Sequence, residues 1–160
     1  MTLPLRRVIS GGQTGVDRGA LDAAIAASFP HGGMCPRERR AEDGPIPERY
    51  DLTESGSPEY PIRTERNVAD ADATLILTVG APTGGTRLTV SIARRLARPL
   101  RIVDLDEDGE AAADVVAWIH ETGIGILNVA GPRESGVPGI AERAEAFMSD
   151  VLARLGDPIP

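Results

Sequence analysis

The sequence predicts an α/β fold, a doubly wound and mostly parallel sheet of about five strands with helices on both faces. Three observations predict it. Short apolar runs alternate along the chain with segments of helical period, the pattern of a parallel sheet covered by its crossover helices. Three of those runs, RRVIS, TLILTV and LRIVDL, are aliphatic or β-branched without strict alternation, as strands buried on both faces are. Glycine-rich segments follow the first, third and fifth runs, where the ligand-binding rim of such a sheet lies.

Taken in order, strands are expected at Leu5–Ser10, His31–Cys35 (a weak one), Thr74–Gly80, Leu100–Leu105 and Ile124–Ala130. The first helix follows Asp17 and carries Ala20, Leu21, Ala24, Ile25 and Ser28. A second follows Thr86 with Leu88, Ile92 and Leu96, and a third carries Ala111, Val115 and Ile119. The last and most regular places Ile140, Ala144, Phe147, Val151 and Leu155 on one stripe. By analogy with small doubly wound folds, the expected strand order is 2-1-3-4-5. Residues 36–58 break the pattern as a charged run with four prolines and no periodicity. Such a stretch is either a solvated excursion or a lid or binding loop.

Composition narrows the function. With 160 residues, 41% of them hydrophobic, the chain suffices for one domain, taken as 1–160. It has no run of about 20 apolar residues and no signal-peptide pattern at MTLPLRRV, so no membrane partner and a cytoplasmic location are expected. A net charge of −7 argues against nucleic acid. Cys35 is the single cysteine, so an intrachain disulfide and a Cys-based zinc cage are excluded, and His31 and His120 are assigned to structure. All 17 basic residues are arginine. Without lysine there is no P-loop lysine, Schiff base or lysine general base, and any anion is held by Arg, hydroxyls or backbone N–H groups.

The rim loops supply such groups. They are Gly11-Gly12-Gln13-Thr14-Gly15-Val16-Asp17, Gly80-Ala81-Pro82-Thr83-Gly84-Gly85-Thr86 and Ala130-Gly131-Pro132-Arg133-Glu134-Ser135-Gly136. Glycines let a ligand approach the backbone, and helix N-termini present unpaired N–H groups with a favourable dipole. Thr14, Thr83, Thr86 and Ser135 add hydroxyls, and Arg133 can grip a phosphate through two parallel N–H bonds. The expected partner is therefore a small phosphorylated ligand. G-x-G-x-x-G is missing from the first loop, as are the P-loop and G-x-S-x-G patterns from the chain, so NAD and P-loop nucleotides have no signature. Asp17 either starts the first helix or binds a ribose, pterin or metal beside the loop. Cys35 is either a buried small hydrophobe or a thiol near the rim. Arg37, Arg39, Arg40, Arg63 and Arg66 form either a cationic wall or ion pairs with the acidic residues among them.

ISGGQTGVDRGALDAAI, with HGGMCPRERRAEDGPIPERY, TERNVADADATLIL, PTGGT and ILNVAGPRES, resembles the molybdenum carrier family, in the Rossmann-like superfamily that includes the LOG and DprA types. The resemblance runs from about Arg7 to Leu155. It implies a Rossmann-like fold and a non-enzymatic carrier of molybdenum cofactor, a pterin phosphate bearing the metal. Carried over by position, Gly11, Gly12, Thr14 and Gly15 would bind the ligand in the first loop. Gly84, Gly85 and Thr86 would form the second phosphate contact, with Asn128 and Arg133 near the third. Gln13, Asp17 and Thr83 complete the candidate set, with no catalytic residue and no identified metal ligand. A homo-oligomer is implied, with Trp118 or Phe147 on an outer helix as candidate contacts. The alternatives are a LOG-type nucleotide phosphoribohydrolase or a nucleotide-sensing module. LOG-type enzymes resemble P-G-G-x-G-T-x-x-E at the phosphate loop, and here the Glu position is Thr89. Gly12→Asp is expected to abolish binding without unfolding the domain.

Overall fold

Aliphatic runs with polar, glycine-rich ends settle into one sheet. The computed structural model describes residues 5–107 and 109–156. Its strands are β1 (Arg7–Ile9), β2 (His31–Gly32), four short ones, β3 (Met34–Cys35), β4 (Arg40–Ala41), β5 (Gly44–Pro45) and β6 (Thr53–Glu54), then β7 (Ala73–Thr78), β8 (Leu100–Asp104) and β9 (Ile126–Ala130). The helices are α1 (Val16–Ala26), α2 (Tyr60–Asp70), α3 (Gly84–Arg95), α4 (Ala111–Thr122) and α5 (Ile140–Leu155). Together they make an α/β Rossmann-like fold.

The main sheet runs β2-β1-β9-β7-β8, with every neighbouring pair parallel. This corrects the expected order. The last strand does not lie at the edge but inserts between the first and the third. Its register explains the preference: Leu127 pairs Val8 on one side while Val129 pairs Leu75 on the other, and all four side chains are fully buried. The edge falls instead to β8, whose Ile102 stays 39% exposed.

One face of the sheet is covered by α1, α4 and α5. Val16, Ala20, Val115, Ile119, Ile140 and Met148 pack there against Leu75, Leu77, Leu127 and Val129. The other face carries α2 and α3, through Val68, Ile92 and Ala93. Beneath those helices the sheet is partly polar, and Asn128 Nδ2 donates to Thr74 Oγ1 at 3.3 Å.

Helix α2 is absent from the expected elements. It buries only Asn67 and Val68, too few for a visible stripe, although Pro61 in its first turn is a start signal. Helix α3 is rotated from its expected stripe. Thr86, Thr89, Val90, Ile92 and Ala93 are buried, whereas Leu88 is 39% exposed. Helix α1 ends at Ala26, and Ser28 lies beyond it in the left-handed region. No helix among the described residues is long and apolar enough to cross a membrane.

The excursion at 36–58 is ordered. β3 pairs β6, β4 pairs β5, and Ala41, Ile46 and Tyr50 close over Leu21 and Cys35 in a second apolar cluster. Asn67 fastens α2 to this unit: its Oδ1 accepts from Met34 N–H at 2.8 Å and its Nδ2 donates to Met34 C=O at 2.9 Å. Asn67→Ala strands both backbone groups beside a buried site, so a loss of about 2 kcal/mol is expected. In urea unfolding this appears as a lower midpoint at unchanged slope.

Candidate functional site

The site is built at the carboxyl ends of β1, β7 and β9, where three loops leave the sheet. They enclose a cleft of about 510 Å³, lined by residues of the first loop, the start of α2, the start of α3 and the loop after β9. Of the sequence candidates, Gln13, Asp17, Thr83, Gly84, Gly85, Thr86 and Arg133 line it. Tyr60, Arg63 and Thr89 line it as well.

The remaining candidates sit behind or below it. A Cβ on Gly11 would fall 1.6 Å from Arg63 Nη1, so the missing side chain lets that guanidinium lie across the loop. Gly12 has φ +80, and its Cβ would meet Leu52 and Ile46 at 2.6 and 2.9 Å. An aspartate there would bury a carboxylate in the second apolar cluster, so the expected binding lesion of Gly12→Asp becomes a stability lesion. Gly15 packs on the backbone after β9. Asn128 is bonded to Thr74 within the sheet and does not line the cleft.

Thr14 also faces away from the cleft. Its hydroxyl donates to Glu42 and accepts from Glu134 N–H at 3.2 Å. Glu42, a residue of the excursion, also accepts from the Ser135 hydroxyl and, at 3.4 Å, from Ser135 N–H. Hydrogen bonds from Ser135 and then Thr14 hold the Glu42 carboxyl below its ordinary pKa. One carboxylate thus ties the excursion to the first and third loops. Sequence reasoning missed it because its partners lie 28 and 93 residues away.

Three arginines surround the Tyr60 ring. The guanidinium carbons of Arg40, Arg133 and Arg63 stand 4.7, 4.8 and 5.8 Å from its centroid. Of the two readings of the arginine run, ion pairs hold for Arg63 with Asp17 and Arg66 with Asp70, while Arg40 and Arg63 also stand with Arg133 around this ring. Arg39 instead donates to the carbonyls of Ile46, Pro47 and Tyr50, and Arg66 lies 3.7 Å from Asp70. In a chain of net charge −7 this is a local concentration of positive charge beside a cleft.

Asp17, in the first turn of α1, is 3% exposed. It accepts from Gln13 N–H and from Arg63 Nη1, each at 3.2 Å. Burial raises its pKa, against the opposing pull of Arg63. The helix-start reading holds for its position, and its partners are within the chain. Thr83 precedes α3 without a side-chain cap, and a Cβ on Gly84 or Gly85 would meet no other part of the described structure within 4 Å. The N-terminus of α3 is open to the cleft. Thr89 donates its hydroxyl to Gly85 C=O at 3.0 Å, so the position equivalent to the LOG-type Glu makes a helix contact. Cys35 is fully buried, and burial pushes its thiol pKa up, which fits the inert reading. Among the described residues no group of three or more His, Cys, Asp or Glu could hold a metal ion.

A five-stranded parallel sheet with helices on both faces and a glycine-rich rim defines a Rossmann-like α/β class. The chain belongs to the circularly permutated YpsA SLOG family, whose model matches residues 8–152. It is similar, at 40% identity and a TM-score of 0.91, to the crystal structure of "Putative molybdenum carrier protein" from Syntrophus aciditrophicus SB, over 93% of this chain and 96% of that one. No curated protein matches.

Proposed function

We propose that the cleft binds a phosphorylated heterocycle as cargo, with the phosphate on the N-terminus of α3, and that the cargo is molybdenum cofactor. The observation that carries this reading is the open terminus at Thr83-Gly84-Gly85-Thr86, which faces the same cleft as Arg133. Backbone N–H groups and the helix dipole favour an anion there, and a guanidinium adds charge-assisted bonds. With Tyr60, Pro61 and Leu88 among its lining residues, the cleft suits the flat organic part of such a cargo. With Cys35 buried in another cluster, the chain offers its metal no thiolate, and the metal stays on the pterin. The name of the Syntrophus protein supports the choice of molybdenum cofactor. Thr89 in place of a Glu supports carriage over hydrolysis. A homo-oligomer through the α4 or α5 surface is part of the same proposal.

Gly85→Asp tests it. The position has no positive φ and open space around it, and an acidic residue near a helix N-terminus is favourable, so melting is expected to hold or rise slightly. A carboxylate at the phosphate seat is expected to weaken binding of the co-purified ligand about a hundredfold, as like charges in contact do. Native mass spectrometry with metal analysis on gently purified protein names the ligand. A pterin phosphate with molybdenum is the expected result. A nucleotide without metal would replace the cargo, and undiminished binding by the variant would remove the seat from α3.

A further inference from the structure

Two residues that line the cleft, Gln13 and Arg63, carry buried donors. Gln13 Oε1 accepts from Thr14 N–H at 3.1 Å and from Glu42 N–H at 2.9 Å. Both partners are backbone donors, so that end of the amide is oxygen and the other end is the NH2 group. Gln13 is 5% exposed, and its Nε2 has no hydrogen-bond partner among the described residues. Arg63 is constrained in a similar way. Its Nη1 is held on Asp17 Oδ2 at 3.2 Å, while its buried Nε has no partner among the described residues. Both side chains line the cleft. A buried donor left unpaired costs about 1–3 kcal/mol, so two in one cleft point to an acceptor that a ligand supplies.

The choice lies between an anionic and a neutral acceptor. A phosphate at this point would sit beside the Asp17 carboxylate, the counter-ion of Arg63, whereas the α3 terminus offers N–H groups. A neutral carbonyl oxygen satisfies a buried donor here without adding negative charge next to Asp17. We infer that Gln13 Nε2 and Arg63 Nε read a ring carbonyl, so that the site selects oxo-heterocycles, pterins and oxopurines, over rings bearing an amino group at that edge. An amino group there would oppose donors with a donor. The inference rests on the phosphorylated-heterocycle reading and adds the chemistry of the ring to it.

The test is calorimetry on the full chain with two matched pairs and a control. One pair is inosine and adenosine monophosphate. The other is hydroxymethylpterin and its diamino analogue, in which the ring oxygen is replaced by an amino group. Ribose phosphate is the control. The expected result is that the oxo member of at least one pair binds about tenfold or more tighter than its amino partner. Gln13→Glu keeps the oxygen that holds the two backbone N–H groups and replaces the donor with an acceptor, so the preference is expected to vanish or invert. A thermal melt checks its fold, and the wild-type ratios decide alone if it unfolds. Equal binding of oxo and amino members, or ribose phosphate binding as tightly as the nucleotides, would overturn the inference and leave the phosphate seat standing. Silence from all five compounds would overturn the phosphorylated-heterocycle reading, and the inference with it.

Discussion

Gly15→Ala is expected to lower the stability of the protein by about 4 kcal/mol, the sum of a strained backbone and an overpacked contact. Gly15 precedes α1 with φ 84 and ψ −131, a region that residues with a Cβ rarely enter. Its Cβ would fall 2.3 Å from Pro132 C=O and 2.7 Å from both Arg133 C and Glu134 N, all backbone atoms. No rotamer relieves that contact, so the loop after β9 has to move. The movement would break the hydrogen bond from Val16 N–H to Pro132 C=O and the contacts of Glu42 across the two loops. Such a loss is a large share of the roughly 5–15 kcal/mol that holds a domain folded. Gly85→Ala is the control, with open space around its Cβ, and is expected to lose no stability. Urea unfolding of the two variants separates the cases. Equal midpoints would mean that the first loop is not held by its packing on the third.

That contrast bears on what the chain made legible. The first loop's glycines were read from the sequence as a ligand floor, yet the structure uses Gly11, Gly12 and Gly15 to let Arg63, the excursion and the third loop approach one another. Composition announces a close backbone approach but does not name what approaches. The four longer strands of the main sheet and four of the helices are legible because each buries enough aliphatic surface to set a pattern, whereas the short pairings within the excursion are not. Helix α2 was not, since two buried residues set no period, and it brings Tyr60 and Arg63 to the site. The position of β9 was hidden for a different reason. Its pairing with β1 spans more than a hundred residues, and local pattern cannot distinguish that partner from a nearer one. That Gln13, Asp17, the α3 terminus and Arg133 line a cleft at the rim is legible because a strand end followed by polar, glycine-rich sequence marks the rim of such a sheet. Glu42 was not, because a carboxylate in a charged run looks like solvated surface until its partners are known.

Arg63→Met is expected to cost about 3–5 kcal/mol at neutral pH, the range for removing one partner of a buried ion pair. Methionine keeps most of the apolar stem and deletes the guanidinium, leaving Asp17, 3% exposed, without its counter-charge. The pH dependence identifies the cause. Burial already raises the Asp17 pKa above its ordinary 3.8, with Arg63 the largest opposing influence, so deleting Arg63 raises it further. Between the unfolded and folded values the native state then binds more protons than the unfolded one, and stability increases as pH falls through the folded pKa toward 3.8. The gap between wild type and variant should therefore narrow as the pH is lowered from neutrality toward the ordinary 3.8. Adding Asp17→Asn removes the stranded charge and is expected to recover most of the loss at neutral pH, since replacing both members of a buried pair is far milder than replacing one. A gap that stays constant with pH, and that Asp17→Asn does not repair, would mean that Arg63 acts through its contact with Tyr60 and not through the pair. The double variant also separates folding from recognition. With the charge conflict gone, the chain keeps the Gln13 donor and lacks the Arg63 donor, so any weakening of ligand binding that persists belongs to the cleft and not to the fold.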